Sequence, residues 1–135
     1  MGNTVSCLTY GTQGEYILGI NYRGVQIIDK GKIIKTYRHE PDNISSLSSN
    51  EITCLVEQGD SLLWVGTANK GLNKINYKTK KITRLPFHNK SAIPSSRINT
   101  LYTDNDGNLW IGSKDGLGII TAKGDTLKLE KSSNV

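Results

Sequence analysis

The chain of 135 residues is poor in several residue types, and each shortage excludes a class of protein. Its two cysteines, Cys7 and Cys54, are too few for a small fold held together by disulfides, and no histidine neighbours them to complete a zinc site. No apolar run approaches the ~18 residues that span a bilayer, the longest being about Tyr16–Ile20. Residues 1–4 lack a basic and apolar leader, so we expect no export signal in this chain. It is then either cytoplasmic or a piece of a longer protein.

Acidic residues are missing between Asp60 and Asp104, although the whole chain carries 12 of them against 17 lysines and arginines. The eight basic residues in this interval are Lys70, Lys74, Lys78, Lys80, Lys81, Arg84, Lys90 and Arg97. We favour an outer edge strand that lysines protect from strand addition. The alternative is a surface for a polyanion such as an acidic polysaccharide or nucleic acid. Because no aromatic ladder is interleaved with the basic residues, nucleic acid is not an expected partner.

The sequence contains one short motif three times, at intervals of 45 to 47 residues. The second copy contains residues 63–67 (LWVGT), the third contains 109–113 (LWIGS), and residues 17–19 (ILG) keep the register in the first. A period in the forties, with short apolar strands and glycine turns, is typical of β-propeller blades. The sequence therefore predicts an all-β fold of three four-stranded antiparallel blades, approximately 1–47, 48–93 and 94–135, which form a partial propeller.

Each copy parses into four strands separated by polar turns. The predicted first strands are 4–10, 51–57 and 97–103; the second are 16–21, 62–67 and 109–113; the third are 25–29, 72–76 and 117–121; the fourth are 32–38, 81–87 and 126–131. No segment has the period of a helix of three turns or more.

Glycines and tryptophans indicate how the blades stack. Gly66 lies inside a predicted strand two residues after Trp64, so both point to one face, and we expect a neighbouring blade's backbone to approach there. We interpret the tryptophans as packing residues, with a sugar-stacking role as the less favoured alternative. Cys7 and Cys54 share one repeat position on different blades, which favours separate buried thiols over a disulfide.

A ligand is expected at one mouth of the propeller, where the turns between second and third strands vary within a repeated frame. The candidate ligand-binding residues are Tyr22, Arg23, Asn69, Lys70, Lys114 and Asp115. His39 and His88 could form a catalytic pair, but no activated nucleophile accompanies them, so no catalytic residue is predicted. Residues 104–108 are better interpreted as a turn than as a calcium loop. No metal ion and no cofactor is expected.

Residues 106–117 (DGNLWIGSKDGL) and 63–67, together with the connection 38–52, resemble the two-component regulator propeller repeat, with Ile17 standing for tryptophan in the first copy. That resemblance implies the periplasmic sensor region of a hybrid two-component system from gut Bacteroidetes. Such a sensor binds glycan fragments and signals through a membrane helix to a histidine kinase; neither part is present in this chain. The family has no fixed catalytic residues.

The resemblance makes a non-catalytic sensor of oligosaccharides, acidic ones included, the favoured function. A propeller-type lyase and a purely structural or protein-interaction fragment remain alternatives. Propellers have four to eight blades, so three blades would leave an apolar face exposed at each end. We therefore expect two copies to associate head to tail into a six-bladed ring.

Overall fold

The computed structural model describes residues 4–87, 93 and 95–129, which form twelve β-strands and no helix. The strands are β1 (Val5–Tyr10), β2 (Tyr16–Ile20), β3 (Gly24–Asp29), β4 (Lys32–Tyr37), β5 (Ile52–Gln58), β6 (Leu62–Thr67), β7 (Leu72–Asn76), β8 (Lys81–Leu85), β9 (Ile98–Thr103), β10 (Leu109–Ser113), β11 (Gly116–Ile120) and β12 (Thr126–Leu129). The predicted strands are thus confirmed, with ends that differ by one or two residues within the described part of the chain.

Three antiparallel sheets are built from these strands, each by four consecutive strands that pair in chain order. We name them blade 1 (β1–β4), blade 2 (β5–β8) and blade 3 (β9–β12). The first strands of successive blades contact one another, β1 with β5 and β5 with β9. The sheets therefore stand side by side with their first strands innermost, as the predicted propeller arrangement requires.

Aliphatic side chains fill the space between neighbouring blades. Between blades 1 and 2, Ile17 packs in one cluster with Leu63 and Val65, all fully buried. Between blades 2 and 3, Trp64 packs with buried Ile98, and the indole is only 4% exposed. Burying one such aliphatic side chain contributes about 1.5–3 kcal/mol, so these two layers hold the blades together.

The interior glycines make room for one residue of the next blade. A Cβ atom on Gly66 would overlap Cys54 Sγ and lie 2.8 Å from Ile98 Cγ2. Gly19 repeats the arrangement with Cys7 and Ile52. What approaches each glycine is therefore an isoleucine side chain and not the predicted backbone.

The two thiols beside these glycines are unpaired and half-buried. Burial raises the pKa of the Cys7 thiol, and it raises the pKa of the Cys54 thiol to about 11. Since the thiolate is the reactive form, both side chains act as small packing groups.

Hydroxyl groups on the innermost strands tie each blade to the next. Ser6 Oγ donates to the carbonyl of Ile52 at 2.6 Å, and Thr53 Oγ1 donates to the carbonyl of Ile98 at 2.5 Å. Both bonds join equivalent atoms, one repeat apart. These two bonds fix the position of each blade relative to the next along the innermost strands.

Arg84 on β8 holds the connection between blades 1 and 2. Its Nε donates to the carbonyl of Ser46 at 2.9 Å, and its Nη2 donates to the carbonyls of Asn43 at 2.9 Å and Leu47 at 3.1 Å. Leu47 is fully buried beneath this connection. At least this one of the eight basic residues therefore has a structural role and does not guard a sheet edge.

Each end of the row of blades presents apolar side chains to solvent. On the face of blade 1 that points away from blade 2, Leu8 is 60% and Tyr10 64% exposed. At the other end, Trp110 on blade 3 is only half-buried, whereas the equivalent Trp64 is covered by blade 3. The expected closure by a second copy stays a prediction.

Candidate functional site

A cavity of about 410 Å³ opens where the first strands begin and the second strands end. We call it the mouth. Its lining residues are Thr4, Ser6, Asn21 and Tyr22 from blade 1, Glu51, Ile52, Thr53 and Ala68 from blade 2, and Arg97 and Asn99 from blade 3. All three blades contribute, and the volume lies within the range of about 300–1,000 Å³ that is common for small-molecule sites.

The six residues predicted to bind ligand do not come together in one site. Tyr22 lines the mouth, whereas Lys70 lines a second groove of about 500 Å³ together with His39, Arg84 and Phe87. The other predicted residues, which are Arg23, Asn69, Lys114 and Asp115, are exposed in their turns and line neither cavity. The ligand-binding role of these six residues stays a prediction.

The polar residues at the starts of the innermost strands were not among the predicted site residues. Thr4, Glu51 and Arg97 occupy one repeat position and all line the mouth. The sequence could have indicated them as site residues, because these three residues differ in chemistry while the apolar residues that follow them repeat. Variation of this kind on a fixed frame is typical of a recognition surface.

One cation and one carboxylate face the mouth. Arg97 is exposed, and its Nε donates to Asn99 Oδ1 at 3.1 Å. Within the described ranges, the ion pair formed between side chains is Lys78 with Asp60 at 3.7 Å, so Arg97 is not neutralised by Glu51. The guanidinium can therefore take a carboxylate or hydroxyl group of a ligand.

His39 has a role in holding its loop. Its Nδ1 lies 2.8 Å from the carbonyl of Leu47, and its backbone N–H donates to Asn50 Oδ1 at 2.8 Å. Neither partner is a nucleophile or a carboxylate, which the hypothesis of a catalytic base would need. His88 lies outside the described residues.

Residues 104–108 form the predicted turn, and the turn itself uses the carboxylate of Asp104. The Asp104 oxygens accept from Trp110 Nε1 at 2.8 Å, from the backbone N–H groups of Asn108 and Asp106, and from Asn108 Nδ2. The bond from Trp110, followed by those from Asn108, lowers the pKa of Asp104 to about 2. Across residues 4–87, 93 and 95–129, no three potential metal-ligating side chains lie together.

No helix in the described part of the chain is long and apolar enough to cross a membrane.

Two segments, residues 46–69 and 92–115, match the family model described as the two component regulator propeller. These two segments therefore carry the two-component regulator propeller repeat. The matches fall on the connection and first half of blades 2 and 3, where the resemblance was predicted. Blade 1, with Ile17 in place of tryptophan, lies outside both matches.

Proteins with related sequences or structures include much longer signalling proteins. Histidine kinase P4 of Formosa agariphila is 37% identical over 83 residues, which are 59% of this chain and 6% of the kinase. The extracellular domain described as that of the hybrid two component system BT4673 from B. thetaiotaomicron has a TM-score of 0.78 at 24% identity, over 97% of this chain and 18% of that one. The repeats thus span a small part of these relatives.

A second fold match comes from an enzyme. Virginiamycin B lyase from Staphylococcus aureus has a TM-score of 0.68 at 20% identity, covering 96% of this chain and 42% of the lyase. At such identity, both structural matches establish the propeller fold of these repeats and not a shared activity.

Proposed function

We propose that this chain is a non-catalytic ligand-sensing module of a hybrid two-component signalling system, placed outside the cytoplasm, and that it recognises an oligosaccharide at the mouth. The mouth itself is the observation that supports this proposal most directly. It is a polar cavity to which every blade contributes, on a scaffold of two-component regulator propeller repeats.

The chemistry of the mouth suits a sugar. Hydroxyl and amide side chains, including Thr4, Asn21 and Asn99, can exchange hydrogen bonds with ring hydroxyl groups, and Tyr22 offers an aromatic face. Arg97 adds a cation that has no carboxylate partner among the described residues, which favours a uronate or sulfate group on the ligand.

Signalling would depend on parts of a longer protein. Histidine kinase P4 aligns with this chain over only 6% of its length, and the matched extracellular domain is also several times longer than the chain. We propose that a kinase region lies elsewhere in the parent protein and that the propeller region is periplasmic.

A lyase is less well supported. The match to virginiamycin B lyase rests on fold at 20% identity, and the hydrogen-bond partners of His39 belong to its own loop. A binding module needs no base or nucleophile, so the mouth is sufficient for sensing as it stands.

An oligosaccharide array tests the proposal. The purified 135-residue chain is screened against neutral, uronate-bearing and sulfated oligosaccharides, and each hit is titrated by calorimetry. We expect an acidic oligosaccharide to bind, with affinity that falls as salt is raised. Arg97→Gln should weaken binding about 10-fold or more, because a charge-assisted hydrogen bond contributes roughly 1.5–3 kcal/mol.

Lys32→Gln is the matched control, since it removes one positive charge from the exposed strand β4 and leaves the mouth intact. Its affinity should stay close to that of the unmodified chain. Absence of binding to every oligosaccharide on the array, or equal losses in the two variants, would refute recognition at the mouth.

A further inference from the structure

The turns between second and third strands are closed by a side-chain hydroxyl group in two of the three blades. In blade 2, Thr67 Oγ1 accepts from the backbone N–H of Lys70 at 3.0 Å and donates to the carbonyl of Gly71 at 2.7 Å. In blade 3, Ser113 Oγ accepts from the N–H of Asp115 at 3.3 Å and donates to the carbonyl of Gly116 at 2.9 Å. One hydroxyl group therefore holds both sides of each turn.

Blade 1 lacks this hydroxyl group because Ile20 occupies the equivalent position. Its turn is closed by a backbone bond, from the N–H of Arg23 to the carbonyl of Ile20 at 2.9 Å. Two residues lie between them, Asn21 and Tyr22, and Tyr22 has a φ of 65°. The residues that lie two before the turn glycine in the other blades, Asn69 and Lys114, do not have a positive φ.

A positive φ is unfavourable for a tyrosine. The left-handed conformation brings Cβ close to the following carbonyl oxygen, so it is common for glycine and tolerated by asparagine, but rare for bulky side chains. The turn would thus form more easily with asparagine or glycine at position 22. The fold of blade 1 does not explain the aromatic ring there, and backbone strain of this kind is concentrated at functional sites.

The position of the ring suggests what it does. Tyr22 is 55% exposed although the turn carries it to the wall of the mouth, in the same cavity as Arg97 and Asn99. Among the described residues that line the mouth, it is the aromatic one. An exposed planar ring beside hydroxyl, amide and guanidinium groups can cover the apolar face of a sugar while those groups bind its hydroxyl or acidic substituents.

We propose that Tyr22 is the specificity-determining contact of the mouth, an aromatic platform on which one ring of a bound oligosaccharide stacks, and that blade 1 tolerates a strained turn in order to present it. This inference rests on the proposed function, since it assigns one residue of the same site. It also predicts an effect that a purely structural tyrosine would not show: removing the ring weakens binding and stabilises the fold.

Three variants of the 135-residue chain separate these effects, with melting temperature and affinity for the array hits as readouts. Tyr22→Asn should raise Tm by roughly 2–6 °C, because asparagine tolerates the left-handed conformation. It should also weaken binding about 10-fold or more, as expected for loss of a central aromatic contact. Tyr22→Phe keeps the ring and the strain, so Tm and affinity should both stay close to their original values. Lys80→Asn is the control: Lys80 has a φ of 61° in the turn between β7 and β8 and does not line the mouth, so this variant should raise Tm in the same way and leave affinity unchanged.

The outcomes distinguish this inference from the proposed function. If the unmodified chain binds an oligosaccharide and Tyr22→Asn binds it equally well, the platform is refuted and the sensor function stands. If Tyr22→Asn lowers Tm along with affinity, the tyrosine is a structural residue and the inference fails. If the unmodified chain binds nothing on the array, the inference is overturned together with the proposed function.

Discussion

Replacing Gly66 with alanine should destabilise the fold by crowding the contact between blades 2 and 3. The added methyl group would overlap Cys54 Sγ, and it would lie 2.8 Å from Ile98 Cγ2 and 3.1 Å from Ile98 Cβ. Ile98 is fully buried and Cys54 half-buried, so neither can move away freely. The two blades must therefore shift relative to each other.

The expected cost follows from two opposing terms. Forcing an extra methyl group into a packed interior costs typically about 1–3 kcal/mol. Alanine also restricts the unfolded chain, which returns about 0.4–1 kcal/mol because Gly66 does not have a positive φ. We expect Gly66→Ala to lower the free energy of unfolding by about 1–2 kcal/mol, and Tm by roughly 3–10 °C.

Urea unfolding followed by tryptophan fluorescence measures this change, since Trp64 lies in the same interblade layer. Gly19→Ala provides a second measurement of the same geometry between blades 1 and 2, with Cys7 and Ile52 as the crowded neighbours. Adding Cys54→Ala to Gly66→Ala removes the overlapping sulfur and should recover part of the loss. Unfolding free energies of the two glycine variants within about 0.5 kcal/mol of the unmodified chain would contradict tight interblade packing.

Two further predictions concern the thiols and the exposed end faces. Burial raises the pKa of the Cys54 thiol to about 11 and so keeps it protonated in the folded state. The free energy of unfolding should therefore be at its full value below about pH 9 and decline by about 2 kcal/mol as the pH rises toward 11. Urea unfolding at pH 8 and pH 11 should show this decline in the unmodified chain, and the same decline in Cys54→Ala would argue against it. Light scattering should show twice the 14.8 kDa mass of one chain if two copies close a ring, and Gly112→Ala, on the free face of blade 3, should reduce that association. A monodisperse monomer of the unmodified chain would disprove the ring.

The repeat predicted the fold well because blade architecture depends on local patterns. The alternation of apolar residues along each copy and the glycines at strand ends determine where strands begin and turn, as at Gly24 and Gly71, whose φ values are 87° and 75°. The packing role of Trp64 also followed from its spacing to Gly66, because residues two apart in a strand share a face.

The candidate site was harder to predict because it depends on contacts between residues distant in sequence. Arg84 is one basic residue among eight in the sequence, and its role emerges only where its guanidinium meets carbonyl groups some forty residues earlier. Arg97 and Glu51 come to the same cavity only after the blades stack. The positive φ of Tyr22 occurs in the turn that has Ile20 in place of a hydroxyl residue, and a comparison of repeat positions could have revealed that replacement.

Each blade takes its four strands from one unbroken stretch of chain, so no sheet borrows a strand from a neighbour. A whole repeat could be added or removed without leaving any ladder of backbone hydrogen bonds incomplete. The new neighbour would need only an isoleucine for the glycine gap and a carbonyl group for the inner hydroxyl, as Ile52 of blade 2 and Ile98 of blade 3 supply them. Such a chain can change in length by whole repeats, by duplication or by design, while the contacts that join its units stay the same.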